Sequence, residues 1–356
     1  VRRQIIQRSN LALLGVTFAL VLAITGCQAV SPASEGAAST AATGAAETLT
    51  VYSGRSENLV APVIEKFEAA AGVNVDVRYG STSEMAATIL EEGDNSPADV
   101  FFAQDAGALG AVAKEGRLAE LPVEILDQVE EKYRSANDNW VGVSGRARVL
   151  VYNTNNIAPE DLPANVYELT DPKWQGRVGW APTNGSFQAF VTAMRLLDGD
   201  EKTRQWLTDM LANGVQIYDN NTSIVNAVGA GEIDLGLVNH YYLYQFLKEQ
   251  GEGFPAANHF FPEPGAGSIV NVAGVGILDT TAHRELAEQF IAYLLGNEAQ
   301  QYFADETVEY PLAGEDIAVN PTLKPLAEIA IPNLDLSQLE DLQATLQMLE
   351  ETGVLQ

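Results

Sequence analysis

Two tyrosines stand side by side in this chain, closing the segment Gly231-Glu232-Ile233-Asp234-Leu235-Gly236-Leu237-Val238-Asn239-His240-Tyr241-Tyr242. The apolar run from Asp234 to Val238 reads as a buried strand, and the residues from about Tyr242 to Gln250 read as a helix. Ligands of open α/β proteins gather beyond the carboxyl ends of strands, so the two phenols sit where a site is expected. A free phenol titrates at roughly pH 10 and is neutral at neutral pH. A bound metal ion can hold it deprotonated, and oxygen donors of high charge density suit Fe(III) better than softer ions. The same rings, continued by Tyr244 and Phe246, also suit plain packing at a helix start. Residue types alone leave both readings open.

Other chemistry is hard to find. His240, His259 and His283 are the only histidines, and none has the spacing of a helical zinc site. No Gly-x-Ser-x-Gly elbow and no phosphate-binding Gly-Lys loop occurs. Gly265-Ala266-Gly267 and Gly274-Val275-Gly276 lack the third glycine of a dinucleotide fingerprint. The chain therefore reads as a binding protein and not as an enzyme.

The elements that would position the phenols alternate between strand and helix. Leu49–Tyr52, Val73–Tyr79 and Asp99–Phe102 read as strands. Leu59–Ala71, with Pro62 in its first turn, Ser83–Glu92 and Ala106–Glu115 read as helices. This pattern predicts an α/β lobe with a largely parallel sheet. A second set follows, with helices near Phe187–Leu197, Thr203–Ala212 and Ser223–Ala230. Two long apolar runs, Val141–Tyr152 and Val270–Leu278, would leave the first lobe and return to it, giving a hinge about which a cleft closes. His283–Leu295 and Ala299–Ala304 read as helical, and Ser337–Thr352 as an amphipathic C-terminal helix. The expected division is residues 48–146 with 273–323 in one lobe, and 147–272 with 324–356 in the other.

At 356 residues and 46% hydrophobic content the chain can bury the cores of two lobes. Its 48 acidic residues outnumber 20 basic ones, for a formal charge of -28. So acidic a surface repels phosphate backbones, which excludes nucleic acid as a partner. The single cysteine, Cys27, excludes a disulfide framework and a cysteine-built zinc site.

Cys27 matters for where it stands. Arg2, Arg3 and Arg8 precede an apolar run, Leu11 to Ile24, of about 14 residues, short of the roughly 20 that span a membrane. Basic head, short apolar body and small residues describe a secretory signal peptide over residues 1–26. Ile24-Thr25-Gly26-Cys27 resembles a bacterial lipobox, which implies lipidation of Cys27 and anchoring to a membrane. Residues 27–47, rich in Ala, Ser, Thr and Gly, read as a flexible tether.

Four segments, taken in order, resemble the periplasmic ferric-ion-binding proteins, the substrate-binding proteins of iron ABC transporters. They are Val51-Tyr52-Ser53-Gly54-Arg55-Ser56, Pro97-Ala98-Asp99-Val100-Phe101, Ser144-Gly145-Arg146-Ala147-Arg148-Val149 and Asn239-His240-Tyr241-Tyr242. The resemblance implies a type II periplasmic-binding-protein fold, two lobes joined by two hinge strands. It implies an exported monomer, in the periplasm or on the outer face of the plasma membrane, that delivers Fe(III) to an ABC permease and its ATPase. Residue by residue, it makes Tyr241 and Tyr242 the paired phenolate ligands. Asn239, Asn221 and the Asn184-Gly185 turn become positions that hydrogen-bond a synergistic anion, carbonate or phosphate. Ser186 reads as the cap of the helix that follows. Arg146 matches an arginine that pairs with the anion in some members.

The chain also departs from the family pattern. Ser56 stands where some members have a histidine ligand. Gln104, with Asp105 next to it, stands where they have a glutamate. No third tyrosine occupies the Asn184-Gly185 turn; Tyr52, Tyr79 and Tyr152 are substitutes that read better as sheet packing. Two phenolates leave Fe(III) with one uncompensated positive charge and several open positions. The expectation is a strongly anion-dependent site with Arg55 and Arg146 as anchors. The alternative is the same fold with another solute, such as thiamine, a polyamine, a phosphonate or a sugar, stacked on the two rings.

Overall fold

The computed structural model describes residues 46–355. The basic start, the apolar run, Cys27 and all but the end of the expected tether lie outside the described residues. The chain then alternates β1 (Thr48–Ser53), α1 (Glu57–Ala71), β2 (Asn74–Tyr79), α2 (Thr82–Glu92), β3 (Val100–Ala103), α3 (Ala106–Lys114) and a short α4 (Val123–Leu126). All four residues of β3 are buried, as a strand covered by helices on both faces requires. A capping box starts α2, in which the Ser81 hydroxyl accepts from the Glu84 N–H and the Glu84 carboxylate accepts from the Ser81 N–H. Pro62 is not in the first turn of its helix. Because α1 begins at Glu57, the ring sits inside it and removes one i to i−4 bond.

The long strand β4 (Val141–Asn153) leads to β5 (Val178–Trp180), α5 (Gly185–Asp198), α6 (Asp200–Ala212) and β6 (Gln216–Ile217). Then come α7 (Asn221–Ala230), β7 (Leu235–Asn239), α8 (Tyr241–Gln250), β8 (Ala256–His259) and β9 (Val270–Ile277). The chain ends through α9 (Arg284–Leu295), α10 (Asn297–Tyr302), β10 (Tyr310–Pro311) and α11 (Leu342–Glu351). The main strand order is β2-β1-β3-β9-β4-β7-β5-β6. The wings are parallel: β1 with β2 and β3, and β5 with β6 and β7. The centre is antiparallel, because β4 and β9 run out and back between the wings.

All thirteen residues of β4 are buried, and the strand serves both lobes. Its first half, up to Ala147, pairs with β9. Its second half, from Arg148, pairs with β7 and β8. The partner changes between two adjacent residues, and the functional side chains cluster around that point. In the second lobe Trp180, Phe187, Phe190 and Trp206 pack edge-on and tilted with ring centroids 5.3–5.8 Å apart, fixing α5 and α6 against β5.

The C-terminal segment departs from expectation. In place of one helix over Ser337–Thr352 there is a 3₁₀ turn, Leu336–Glu340, a break at Asp341, and then α11. The turn packs on α3 of the first lobe, while α11 packs on α5 of the second. Gly107 permits the first contact, since a Cβ there would lie 2.6 Å from the Leu339 carbonyl oxygen. The second contact holds a buried Thr192–Thr345 hydroxyl pair at 2.7 Å, and Arg195 grips Asp341 at 3.0 Å. The segment thus packs on both α3 and α5.

Candidate functional site

Tyr241 and Tyr242 open α8 directly after β7, whose five residues are all buried. The corner between them is pinned at His240, which is fully buried. Its Nδ1 accepts from the Ala147 N–H at 3.1 Å, so Nε2 carries the proton and donates to the Val308 carbonyl at 2.7 Å. Its backbone N–H donates to the Ala147 carbonyl, and the Asn258 amide donates to its own carbonyl. Burial above all pulls the imidazole pKa down to about 4, so it stays neutral. The corner that aims the two phenols is therefore fixed by β4 on one side and by the backbone before β10 on the other.

The two phenol rings stack at 4.3 Å between centroids and 28° between planes. Both belong to the wall of a cleft of about 350 Å³. Tyr241 is only 1% exposed. Burial first, then the neighbouring phenol, hold its pKa well above the ordinary value, while Arg146 and Arg55 pull the other way. Across the cleft, the Gln104 amide donates to Tyr241 Oη at 3.3 Å. The wall also carries Ser56, Asp105, Asn184, Gly185 and Ser186. Gly54 completes it, where a Cβ would lie 2.3 Å from Thr82 Oγ1.

The donor chemistry around the cleft is poor in carboxylates. Ser56 precedes α1 and makes no capping bond, leaving its hydroxyl uncommitted. Asp105 caps α3 instead, accepting from the Ala108 N–H at 3.0 Å, and burial raises its pKa. The cap of α5 is Asn184 and not Ser186. Asn184 Oδ1 accepts from both the Ser186 N–H at 3.0 Å and the Ser186 hydroxyl at 2.6 Å. The reason is geometric: Asn184 is the extended residue just before the first helical turn, whereas Ser186 already lies within it. Among the described residues no group of three or more His, Cys, Asp or Glu converges on a common point. Tyr52, Tyr79 and Tyr152 are not part of the cleft wall; Tyr52 donates to Glu92, and Tyr152 pairs within the sheet.

The arginines divide sharply. Arg55, expected as an anion anchor, is fully buried and fork-bonded to both oxygens of Glu309 at 2.8 Å, and so is already neutralised. Ser144 and Thr307 also donate to Glu309. Burial alone would raise its carboxyl, but the Arg55 charge and fork, then the Arg146 charge and the Ser144 hydroxyl, hold it below the usual range. Arg146 spends one nitrogen on the Gln104 carbonyl, while its Nε and Nη1 have no partner. Arg148, two residues on and on the same face of β4, is 2% exposed and has no partner on any of its three nitrogens. Its guanidinium lies 4.9 Å from the Phe190 ring and 5.7 Å from Phe187. Burial, then the Arg146 charge, pull its pKa down to about 9.

Asn239 is buried opposite Arg148 in the β4–β7 register, and Asn221 is buried at the start of α7 with both side-chain polar atoms unpartnered. Among the described residues, the Arg148 guanidinium, two nitrogens of Arg146 and the Asn221 amide are thus left without acceptors, groups that an anion would satisfy. Arg148, Glu309 and the bracing role of His240 were not singled out from sequence. The available signal was Arg146 and Arg148 alternating within an otherwise apolar strand, which puts two charges on one face that helices and sheet cover.

Residues 95–337 match the family model of bacterial extracellular solute-binding proteins. The chain is 32% identical over 321 residues to the major ferric iron-binding protein of Neisseria meningitidis serogroup B, covering 89% of this chain and 96% of that one. Iron-bound HitA of Pseudomonas aeruginosa superposes with a TM-score of 0.82 at 36% identity, covering 86% of this chain and 99% of HitA. A Trichodesmium FutA structure in complex with iron and citrate superposes with a TM-score of 0.75 at 27% identity, covering 86% and 99%.

Proposed function

This chain belongs to the periplasmic ferric-ion-binding proteins, within the bacterial extracellular solute-binding family, and from that membership we propose that it captures Fe(III) together with an anion between its lobes and delivers the iron to an ABC importer. The observation that carries the reading is the stacked pair of phenols in the cleft wall, with the Arg148 guanidinium unpartnered among the described residues and that of Arg146 bonded only to the Gln104 carbonyl. Tyr241 and Tyr242 bind the metal as phenolates, their protons released to water, and leave it one net positive charge. The two arginines add two more. A dianion such as carbonate or phosphate offsets most of that charge, and its oxygens fill coordination positions that the protein leaves open.

In this reading Arg146 and Arg148 hold the anion, and Arg55 serves the hinge. The backbone N–H of Gly185 adds a donor at the positive end of α5, where Asn184 already takes that of Ser186. Asn221 and Asn239 face the same anion from the second lobe. Capture is a binding function, and no residue is assigned to catalysis. The lobes are taken as residues 48–146 with 273–323 and 147–272 with 324–356, the C-terminal strap reaching back across the first. Export by a signal peptide and lipidation of Cys27 complete the proposal and put the cleft at the membrane that carries the permease.

Ferric phenolates absorb visible light by charge transfer, and complexes of organic solutes do not. Purified protein given a ferric salt and bicarbonate should turn coloured, and the Tyr241→Phe, Tyr242→Phe double variant should stay colourless. A wild-type protein that stays colourless under both bicarbonate and phosphate ends the iron reading.

A further inference from the structure

Gln104 follows β3 at the foot of the first lobe, while Tyr241 starts α8 in the second. The Gln104 side chain nevertheless reaches the phenol oxygen of Tyr241, at 3.3 Å. Its backbone is fixed on both sides: the N–H donates to Thr82 Oγ1 at 3.2 Å, and the carbonyl accepts from Arg146. The amide therefore hangs from a backbone held by two other groups of the site, and among the described residues no other side chain bonds to Tyr241 Oη.

A phenolate has no proton and can only accept, and an amide N–H is a donor. A carboxylate at this position could not serve, because it too only accepts. Resting on the iron reading above, we infer that Gln104 is a positioning residue for iron capture: its amide N–H, delivered from the opposite wall, donates to the Tyr241 phenolate oxygen while that oxygen binds Fe(III). The bond does two things. It withdraws electron density from the phenolate, which lowers the donor orbital and raises the charge-transfer energy. It also ties the ligand of one lobe to the backbone of the other, so that iron leaves only after this cross-cleft contact breaks.

Two variants of the full chain test this, both read by visible absorption and by the rate of iron transfer to an excess of a competing chelator. Gln104→Leu should stay coloured with its band moved to longer wavelength, and should release iron about tenfold faster, the size expected for one hydrogen bond to a charged acceptor. Gln104→Met keeps the length of the side chain and cannot donate, so its band should also move to longer wavelength. A band at the wild-type wavelength in either variant overturns the inference. A wild-type protein with no band removes the iron reading itself, which separates the two failures.

Discussion

Arg148 stands directly across the β4–β7 ladder from Asn239, two residues before the first of the stacked tyrosines, and no group among the described residues neutralises it. Burying a bare guanidinium is costly, and proteins ordinarily pair such a charge. Here the cost is retained next to a cleft whose two phenols need a third partner for their cargo. The relation joins sheet register to electrostatics: the residue at which β4 changes partners also carries the free charge.

The first prediction follows from that charge. Arg148→Leu removes an uncompensated ion from an apolar setting between Phe187 and Phe190, so the iron-free protein should be as stable as wild type or more so, by about 1–3 kcal/mol in urea unfolding. Iron affinity should fall at least tenfold, and added phosphate should no longer raise it. A variant that keeps the wild-type response to phosphate would remove Arg148 from the anion site.

Arg55 should behave in the opposite way. Its removal strands the buried Glu309 carboxylate, so Arg55→Met should cost about 3–5 kcal/mol of stability. The double variant Arg55→Met, Glu309→Gln should recover much of that loss. The folded double variant should keep wild-type anion dependence. Loss of that dependence without loss of stability would return Arg55 to the role its sequence position suggested.

His240 gives a pH signature. Its folded pKa, about 4, lies below the ordinary 6.5, so between these values the unfolded chain binds a proton that the folded one does not. Stability from this group is fully present above about pH 6.5 and is lost as pH falls toward 4, to a total of about 3 kcal/mol. Urea midpoints of the iron-free protein, compared with those of His240→Gln over this range, isolate the effect. Parallel curves for the two proteins would show that the buried imidazole is protonated in both states alike.

The architecture was legible because its signals are local. Strand–helix alternation, the two long apolar runs and the Asn239-His240-Tyr241-Tyr242 corner each announce themselves within a dozen residues. The site was legible only in part. Tyr241 and Tyr242 were legible as neighbours in one corner, whereas the pairing of Arg55 was not, because its partner, Glu309, lies 254 residues away. No spacing rule connects the two, and only the return of β10 onto β4 brings the carboxylate under β1. The broken C-terminal helix was hidden for a related reason. Its amphipathic pattern runs through Asp341, and the break lets the segment fit two separate helices, α3 and α5.

That strap supplies the last prediction. The 3₁₀ turn lies so close to α3 that a methyl group at Gly107 would meet the Leu339 carbonyl at 2.6 Å, and Leu339 and Leu342 both belong to the cleft wall. A side chain at this point cannot be absorbed by a rotamer change, because the atom it meets is backbone. Gly107→Val should therefore lift the turn off α3 while Arg195 and Thr192 keep α11 on α5. One end of the strap is freed and the other stays held, which loosens the closed arrangement of the lobes. Small-angle scattering should report a larger radius of gyration for iron-loaded Gly107→Val than for loaded wild type, with faster iron transfer to a chelator. Gly199→Ala, in a turn where nothing lies within 4 Å of the added carbon, controls for general loss of stability at a glycine. If Gly107→Val loses stability but keeps the wild-type radius and release rate, the strap is packing alone and does not restrain the lobes.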